Sequence, residues 1–431
     1  MDVPKPEEQQ QRIIILGIGF AGLKLAQKLA KNKNFQILLI DRNNYHQFQP
    51  LLYQVATAGL EPSSISFPLR KNFQNIENVL IRVAEIIGVD TTSKTVHTNV
   101  GNFWYDKLII ALGTKSNYFG NKELEDNCIG LKTVSEALYI RNKILKNYEN
   151  TLTNINAGET ETGLNIAIVG GGPTGVEMAG ALAEMRNKIL PRDYAEIDFS
   201  KMNIYLIEAG ERLLGSMSGF SSKKAKKYLE RLGVKIYLNT RVKSYDGKTV
   251  ITDKNTFRSY CTVWAAGIHS TQIPGLPEAA IHKGGRIIVN QFNQVNTLKD
   301  VYAIGDISVM KTDATINGHP QVAPVAIQQA INLAKNLQNE MVNKTLNPFK
   351  YIDKGSMATV GRNLAIVEIG FLKFGGFFAW LTWMFVHLMS ILGVKNKLFI
   401  LINWVSNYFT QNLSLRLILK PSKLENSDPA E

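Results

Sequence analysis

The chain has 431 residues, 45% hydrophobic and 20% charged, which is the composition of a folded globular protein and gives room for roughly two or three domains. A formal net charge of +13 draws the surface toward polyanions, whether nucleic acid, anionic lipid or phosphate-bearing cofactors, and charge alone does not choose among them. Only Cys128 and Cys261 occur, far apart in sequence, so a disulfide framework, a zinc-ligand set and a C-x-x-C redox pair are all absent. The two thiols are expected to be buried and free, and no metal site is indicated.

Met1 to Arg12 is polar, with proline and glutamate, and lacks the apolar centre of a secretory signal. The expectation is a protein on the cytoplasmic side of its membrane. Arg12 to Leu16 is a short β-branched run that reads as a buried parallel strand. It feeds into Gly17-Ile18-Gly19-Phe20-Ala21-Gly22, then a helical spacing from Leu23 to Ala30, then a strand from Gln36 to Ile40 ending at Asp41. The pattern recurs: a strand over Leu164 to Val169, the turn Gly170-Gly171-Gly172-Pro173-Thr174-Gly175, a helix over Val176 to Met185, and a strand over Ile204 to Ile207 ending at Glu208. Between the two units, Gly120 to Gly163 reads as a linker and helical segment, with Asn150 to Thr162 polar and turn-rich.

Each glycine turn sits between a strand and a helix, and each second strand ends in an acid, which is the context a dinucleotide fingerprint requires. Gly17 and Gly170 permit the sharp turn, Gly19 and Gly172 let pyrophosphate approach the backbone, and Gly22 and Gly175 let helix pack on strand. The phosphates are expected at the helix N-termini, where free N–H groups and the helix dipole favour anions. Asp41, about 20 residues beyond the first fingerprint, suits an adenosine ribose. Glu208 would bind ribose hydroxyls and repel a 2′-phosphate, favouring NADH over NADPH. Two dinucleotide sites without a redox disulfide suggest hydride transfer from a nicotinamide to a flavin, which must hand its electrons elsewhere.

Further strands are expected near Lys235 to Leu238, Val263 to Ala266 and Ile287 to Val289. From Phe371 onward the chain turns apolar and aromatic and stays almost free of acids until Glu425. Phe374 to Val394 approaches the roughly 20 residues needed to span a bilayer, but Gly375, Gly376 and a second apolar stretch, Leu398 to Phe409, favour an in-plane arrangement. Lys395, Lys397, Arg416 and Lys420 flank it and could reach anionic headgroups; a buried helix or a dimer contact is the alternative. The Lys223 to Lys227 run reads as a solvated helix face, and no nucleic-acid module is present.

At this level of detail the chain resembles the type II, non-proton-pumping NADH:quinone oxidoreductases, from Arg12 to about Leu419. The resemblance is carried by Asp41 to Ala56 (DRNNYHQFQPLLYQVA), Leu112-Gly113-Thr114, Trp264-Ala265-Ala266-Gly267, Ala303-Ile304-Gly305-Asp306, Asp353 to Arg362 (DKGSMATVGR) and Phe377 to Trp383 (FFAWLTW). It implies an α/β fold with two Rossmann-like domains, for FAD and NADH, plus a C-terminal membrane-associated helical module. The expected boundaries are 1–120 with 281–350 for FAD, 121–280 for NADH and 351–431 for the membrane module. It implies a respiratory NADH dehydrogenase that passes two electrons from NADH through FAD to a membrane quinone, ubiquinone or menaquinone, at an anionic lipid surface. The expected location is peripheral, on the cytoplasmic face of a bacterial inner membrane, with a homodimer left open.

By the same resemblance, FAD is held by Gly17, Gly19, Phe20, Ala21, Gly22, Asp41, Arg42, Ile86, Gly113 and Asp306, with the Val325-Ala326-Ile327 backbone approaching its ring. NADH is held by Gly170, Gly172, Thr174, Gly175, Glu208, Ala266 and Gly267. Glu177, just after the second fingerprint, is expected near the quinone as a proton-transfer group, although an acid in a first helical turn is also simply stabilising. Members often carry an A-Q-x-x-x-Q pair beside the quinone; here the first position is Pro324 and only Gln328 matches. His46 and His387 are candidate proton donors or structural histidines. The rival readings are a soluble NADH-dependent reductase of a small redox protein and a flavin-binding redox sensor. A sulfide:quinone reductase would want catalytic cysteines.

Overall fold

The computed structural model describes residues 3–8, 10–156, 164–282, 284–312, 315–410 and 415–419. Its chain divides into two compact units, each discontinuous in sequence. The first comprises Met1–Gln47, Ser66–Lys115 and Ile268–Lys354, and the second Phe48–Ile65, Ser116–Gly267 and Gly355–Glu431.

The first unit is built on a five-stranded parallel sheet in the order Val301–Ala303, Lys107–Ile110, Gln11–Leu16, Phe35–Asp41, Val79–Val83. Ile13 to Leu16 are wholly buried, as the continuous β-branched run requires of a strand covered on both faces. Its register places Ile13 opposite Ile37 on one side and Lys107 on the other. The Phe20–Leu29 and Ala323–Met341 helices pack against each other. A three-stranded antiparallel sheet, Ile86–Asp90, Thr95–Thr98 and Gly101–Trp104, closes one apolar cluster through Val89, Val96 and Phe103.

The second unit repeats the scheme: Ile129–Gly130, Cys261–Trp264, Ile166–Val169, Ile204–Ile207 and Lys235–Tyr237 form a five-stranded parallel sheet. Cys128, just before the first of these strands, and Cys261, in the second, are free and buried. The segment read as a turn-rich linker is helical as far as Asn156, within a Val134–Asn156 helix; residues 157–162 of that segment lie outside the described residues. The Pro173–Glu184 helix runs into a π-helical turn at Met185–Ile189.

The C-terminal segment, expected as a domain of its own, joins the second unit. Three antiparallel strands, Ser356–Gly361, Leu364–Ile369 and Leu372–Gly376, lay their sheet against the Pro173–Glu184 and Gly219–Arg231 helices. The apolar stretch from Phe374 is therefore not one helix. Gly376, at φ +99°, ends the strand, and the Phe377–Ser390 and Val394–Thr410 helices follow. Among the described residues no helix is long and apolar enough to cross a membrane. Phe371, Phe378, Phe385, Ile402 and Phe409 nevertheless stand 63–91% exposed. Of the flanking cations, Arg416 is committed to Asp193 at 2.8 Å, Lys397 donates to the Met389 carbonyl, and Lys420 lies outside the described residues.

Candidate functional site

Both fingerprint turns obey the same steric rule. At Gly17, with φ +89°, a Cβ would stand 2.6 Å from the Ala111 carbonyl oxygen, and at Gly22 only 2.0 Å from that of Gly17. The second unit reproduces this: a Cβ at Gly170 (φ +111°) would meet Ala265 O at 2.5 Å, and one at Gly175 would meet Gly170 O at 1.9 Å. The first and third glycines are therefore needed by the protein itself, for turn and helix packing. Gly19 and Gly172 differ, since a Cβ on either would touch nothing within 4 Å. Both are N-cap residues of helices whose first turns receive no side-chain cap. Uncapped N–H groups beside open space make a seat for a phosphate anion.

The two acids that end the second strands act as matching latches. Asp41 accepts the Ile18 N–H at 2.7 Å and the Asn43 N–H at 2.8 Å. Glu208 accepts the Gly171 N–H at 2.5 Å and the Gly210 N–H at 2.6 Å. Each carboxylate thus grips the residue after the first glycine, a task that the ribose-acceptor expectation did not include. Burial raises the Asp41 carboxyl, and the two N–H donors oppose the shift.

In the first unit the expected residues around Asp306 converge. A Cβ on Gly305 would lie 3.2 Å from the Cβ of Ala21 and 3.5 Å from that of Ala326, so the Gly305–Ile307 turn is wedged between two helices. Gln329, which sequence reasoning passed over, fixes that wedge. It is buried, and its Oε1 accepts the Gly305 N–H at 2.7 Å. Its neighbour Gln328 spends its amide on the Ile352 backbone, donating to the carbonyl at 2.9 Å and accepting from the N–H at 3.0 Å. Val325 and Ala326 are buried, Ile327 is half-buried and Arg42 is exposed. Ile86 packs on the edge of the apolar cluster, and Gly113 holds φ +66° with open space at its Cβ position. His46 is buried, with Nδ1 2.9 Å from the Ile18 carbonyl and Phe20 edge-on to its ring. Burial pushes its pKa down, which makes it a neutral clamp on the turn.

In the second unit Thr174 opens the Pro173–Glu184 helix. Gly267, at φ +94°, leaves only 3.0 Å between a Cβ and the Phe119 ring. Farther along the helix, Glu177 lines a cavity of about 180 Å³ together with Tyr53, Gln54, Glu184, Lys188, Arg362, Trp383 and Trp404. A Cβ on Gly180 would fall 1.7 Å from the Val360 carbonyl oxygen, so helix and strand touch backbone to backbone there. On either side of that contact a helix carboxylate meets a backbone N–H: Glu177 accepts from Thr359 at 3.4 Å, and Glu184 from Arg362 at 2.7 Å. Burial pushes Glu177 up to about 8, against the Thr359 N–H and the nearby Trp383 indole. The indole N–H itself completes no hydrogen bond.

Trp404 donates to Gln54 Oε1 at 2.8 Å, and Gln54 donates to the Tyr53 hydroxyl at 2.8 Å, tying the last helix to the cavity wall. His387 stacks on Trp383 at 4.0 Å and its Nδ1 lies 2.8 Å from the Trp383 carbonyl. Burial pushes it down to about 4, so it is neutral and carries no proton to donate as a cation near pH 7. A neutral-range carboxylic acid in an aromatic cavity is suited to give a proton to an uncharged organic substrate as it is reduced and gains negative charge.

Residues 11–330 match the family model described as pyridine nucleotide-disulphide oxidoreductase, and residues 354–411 match that of the NDH2 C-terminal domain. The fold resembles the solved NDH2 of Plasmodium falciparum, at TM-score 0.86 and 22% identity over 95% of this chain and 100% of that one. It also resembles the sulfide:quinone oxidoreductase of Aquifex aeolicus, at TM-score 0.71 and 19% identity over 93% and 96%. Type II NADH:quinone oxidoreductase Ndh of Mycobacterium tuberculosis is 34% identical over 93% of this chain and 89% of its own length. The type II NADH:quinone oxidoreductase of Haemophilus influenzae is 30% identical over 94% and 100%. With relatives of that similarity along nearly its whole length, and with both halves of the architecture matched, this chain belongs to the type II NADH:quinone oxidoreductase family.

Proposed function

We propose that the cavity beneath Glu177 is where this enzyme reduces its quinone, with Glu177 as the proton donor. The protein is an NADH dehydrogenase that carries two electrons from NADH through FAD to a quinone. In our reading the turn Gly17 to Gly22 seats the FAD pyrophosphate, and the turn Gly170 to Gly175 seats that of NADH; the open Cβ positions at Gly19 and Gly172 and the uncapped helix starts support both. When bound, FAD supplies the two-electron step, taking a hydride from the nicotinamide and passing its electrons on.

The protein's own part is proton supply and a seat for the quinone ring. Reduction of a quinone to a quinol consumes two protons, one brought by NADH and one drawn from the medium. Glu177, pushed up to about 8, holds a proton at neutral pH and can release it where the acceptor gains charge. Trp383, Trp404 and Tyr53 give the cavity apolar walls that suit a quinone ring.

The C-terminal helices fit a peripheral membrane contact. Their exposed phenylalanines and isoleucine would enter the interface, and the chain's positive charge would favour anionic headgroups. The cytoplasmic face of a bacterial inner membrane belongs to this same reading. The observation that carries the site is the buried Glu177 facing an aromatic cavity. Its test is Glu177→Gln, which should slow NADH oxidation by a soluble quinone at least tenfold while NADH reduction of ferricyanide, an acceptor that takes no proton, persists. Equal rates with quinone in variant and wild type would remove Glu177 from the chemistry.

A further inference from the structure

We infer that Glu184 is a second proton carrier for quinone reduction, receiving protons at the Lys188 end of the cavity and passing them inward to Glu177. This rests on the reading of Glu177 as donor. Glu177, Glu184 and Lys188 all line one cavity, and they pass from buried through half-buried to exposed along one stretch of chain. Glu177 and Glu184 are seven residues apart, two helical turns and so one face, separated by about 10 Å along the axis. That is too far for direct transfer, but a cavity of about 180 Å³ holds several waters at about 30 Å³ each.

The surroundings of Glu184 suit a group that must change charge. Besides Lys188 and Glu177 on its own stretch, Tyr53 faces it from the Leu52–Ala56 helix and Arg362 from the turn after the Ser356–Gly361 strand. Lys188 and Arg362 favour its ionised form electrostatically, and the hydrogen bond that Arg362 gives it comes from the backbone N–H at 2.7 Å. The Arg362 guanidinium instead lies 3.9 Å over the Tyr408 ring of the last helix. A locked ion pair would hold the carboxylate ionised, whereas this arrangement lets it take up a proton and give it away. Gly361 makes the room, since a Cβ there would stand 3.0 Å from the Glu184 carboxylate oxygen. The π-helical turn begins at the next residue, Met185, and turns Lys188 toward the same cavity. Such turns recur at functional sites.

The relay itself moves only a proton: the electrons that turn the quinone C=O into C–O come from NADH through FAD, and one proton per turnover passes from the medium to Glu184, then to Glu177, then to the reduced quinone oxygen, where the new O–H bond forms. The test uses full-length, FAD-loaded Glu184→Gln, assayed with NADH against a soluble short-chain quinone and against ferricyanide, from pH 6 to 9, in H2O and D2O. The quinone-to-ferricyanide rate ratio should fall at least fivefold, with a larger solvent isotope effect on the quinone rate. Glu184→Asp should recover part of both. An unchanged ratio and isotope effect overturn the proposal, and so does an equal loss with both acceptors, which marks a structural role. Glu177→Gln runs in parallel. If it leaves the quinone rate intact, the whole site reading falls; if it slows quinone and Glu184→Gln does not, only the relay falls. Should Glu184→Gln fail to hold FAD, Lys188→Met reads the outer step, and wild-type ratio and isotope effect there overturn the proposal.

Discussion

Gly180 and Val360 touch so closely that a single methyl group on the helix would lie 1.7 Å from the strand's carbonyl oxygen. This contact sets the spacing at which Glu177 and Glu184 reach the backbone of the Ser356–Gly361 strand and its following turn. Gly180→Ala should cost about 3 kcal/mol or more, because backbone rather than a flexible side chain has to give way. Thermal melting checks it, and a variant that melts with the wild type would show that helix and strand do not meet there.

The two kinds of fingerprint glycine should separate cleanly. Gly22→Ala drives a Cβ to within 2.0 Å of the Gly17 oxygen and should disrupt folding, whereas Gly19→Val meets no protein atom within 4 Å of its Cβ. Gly19→Val is therefore expected to fold but to lose most bound flavin, read from the flavin absorbance per chain after desalting. Full flavin content in folded Gly19→Val would contradict the phosphate seat.

Glu208→Gln should narrow the preference for NADH over NADPH by about tenfold, the scale of one charge-assisted contact. It removes a charge that repels a 2′-phosphate and weakens the latch on Gly171 and Gly210. The ratio of kcat/KM for the two nucleotides is the readout. An unchanged ratio assigns the preference to another residue.

Glu177 is raised from 4.5 to about 8 by burial, so the folded chain holds a proton that the unfolded chain releases. Its stabilising contribution is complete below the unfolded value and is lost as pH rises through that window, levelling off above about 8. Glu177→Gln should flatten this slope and, at pH 9, exceed the wild type by on the order of 2–4 kcal/mol. Melting temperature against pH decides; parallel curves would mean that the carboxyl is hydrated.

Removing the chain from Phe371 onward would also remove Trp383 and Trp404 from the cavity, so point changes probe the membrane contact better. Phe378→Glu with Phe385→Glu, both highly exposed, should abolish flotation with anionic liposomes while leaving soluble-quinone turnover within about twofold, as surface changes usually do. Undiminished flotation would take the Phe377–Ser390 helix out of the interface.

Much of the fold was legible because its rules are local. Gly17 and Gly170 need positive φ, Gly22 and Gly175 need bare helix–strand contact, and those demands are written at fixed spacing in the chain. The latching role of Asp41 and Glu208 was half legible: their position was visible, their hold on Ile18 and Gly171 was not. Glu184, Gly180 and Gln329 carried no local signal. Their meaning comes from a strand, a turn or a helix more than 20 residues away, Ser356–Gly361 for the first two and Gly305–Ile307 for the third. In the C-terminal stretch Gly375 and Gly376 spoke against one spanning helix, but hydropathy alone did not show that the chain up to Gly376 is a strand and that the helix starts only at Phe377.

On the proposed membrane contact, the hydrogen bond from Trp404 to Gln54 makes the Val394–Thr410 helix both lipid-facing and part of the cavity wall. An acceptor that arrives along that wall is counted by its mole fraction in lipid, not by its molarity in the assay. Adding more liposome at fixed quinone then dilutes the substrate, and the apparent KM in molar units rises in proportion to the lipid. A respiring cell sets the rate of such an enzyme through the quinone-to-phospholipid ratio of its membrane, and expanding that membrane without making quinone slows it.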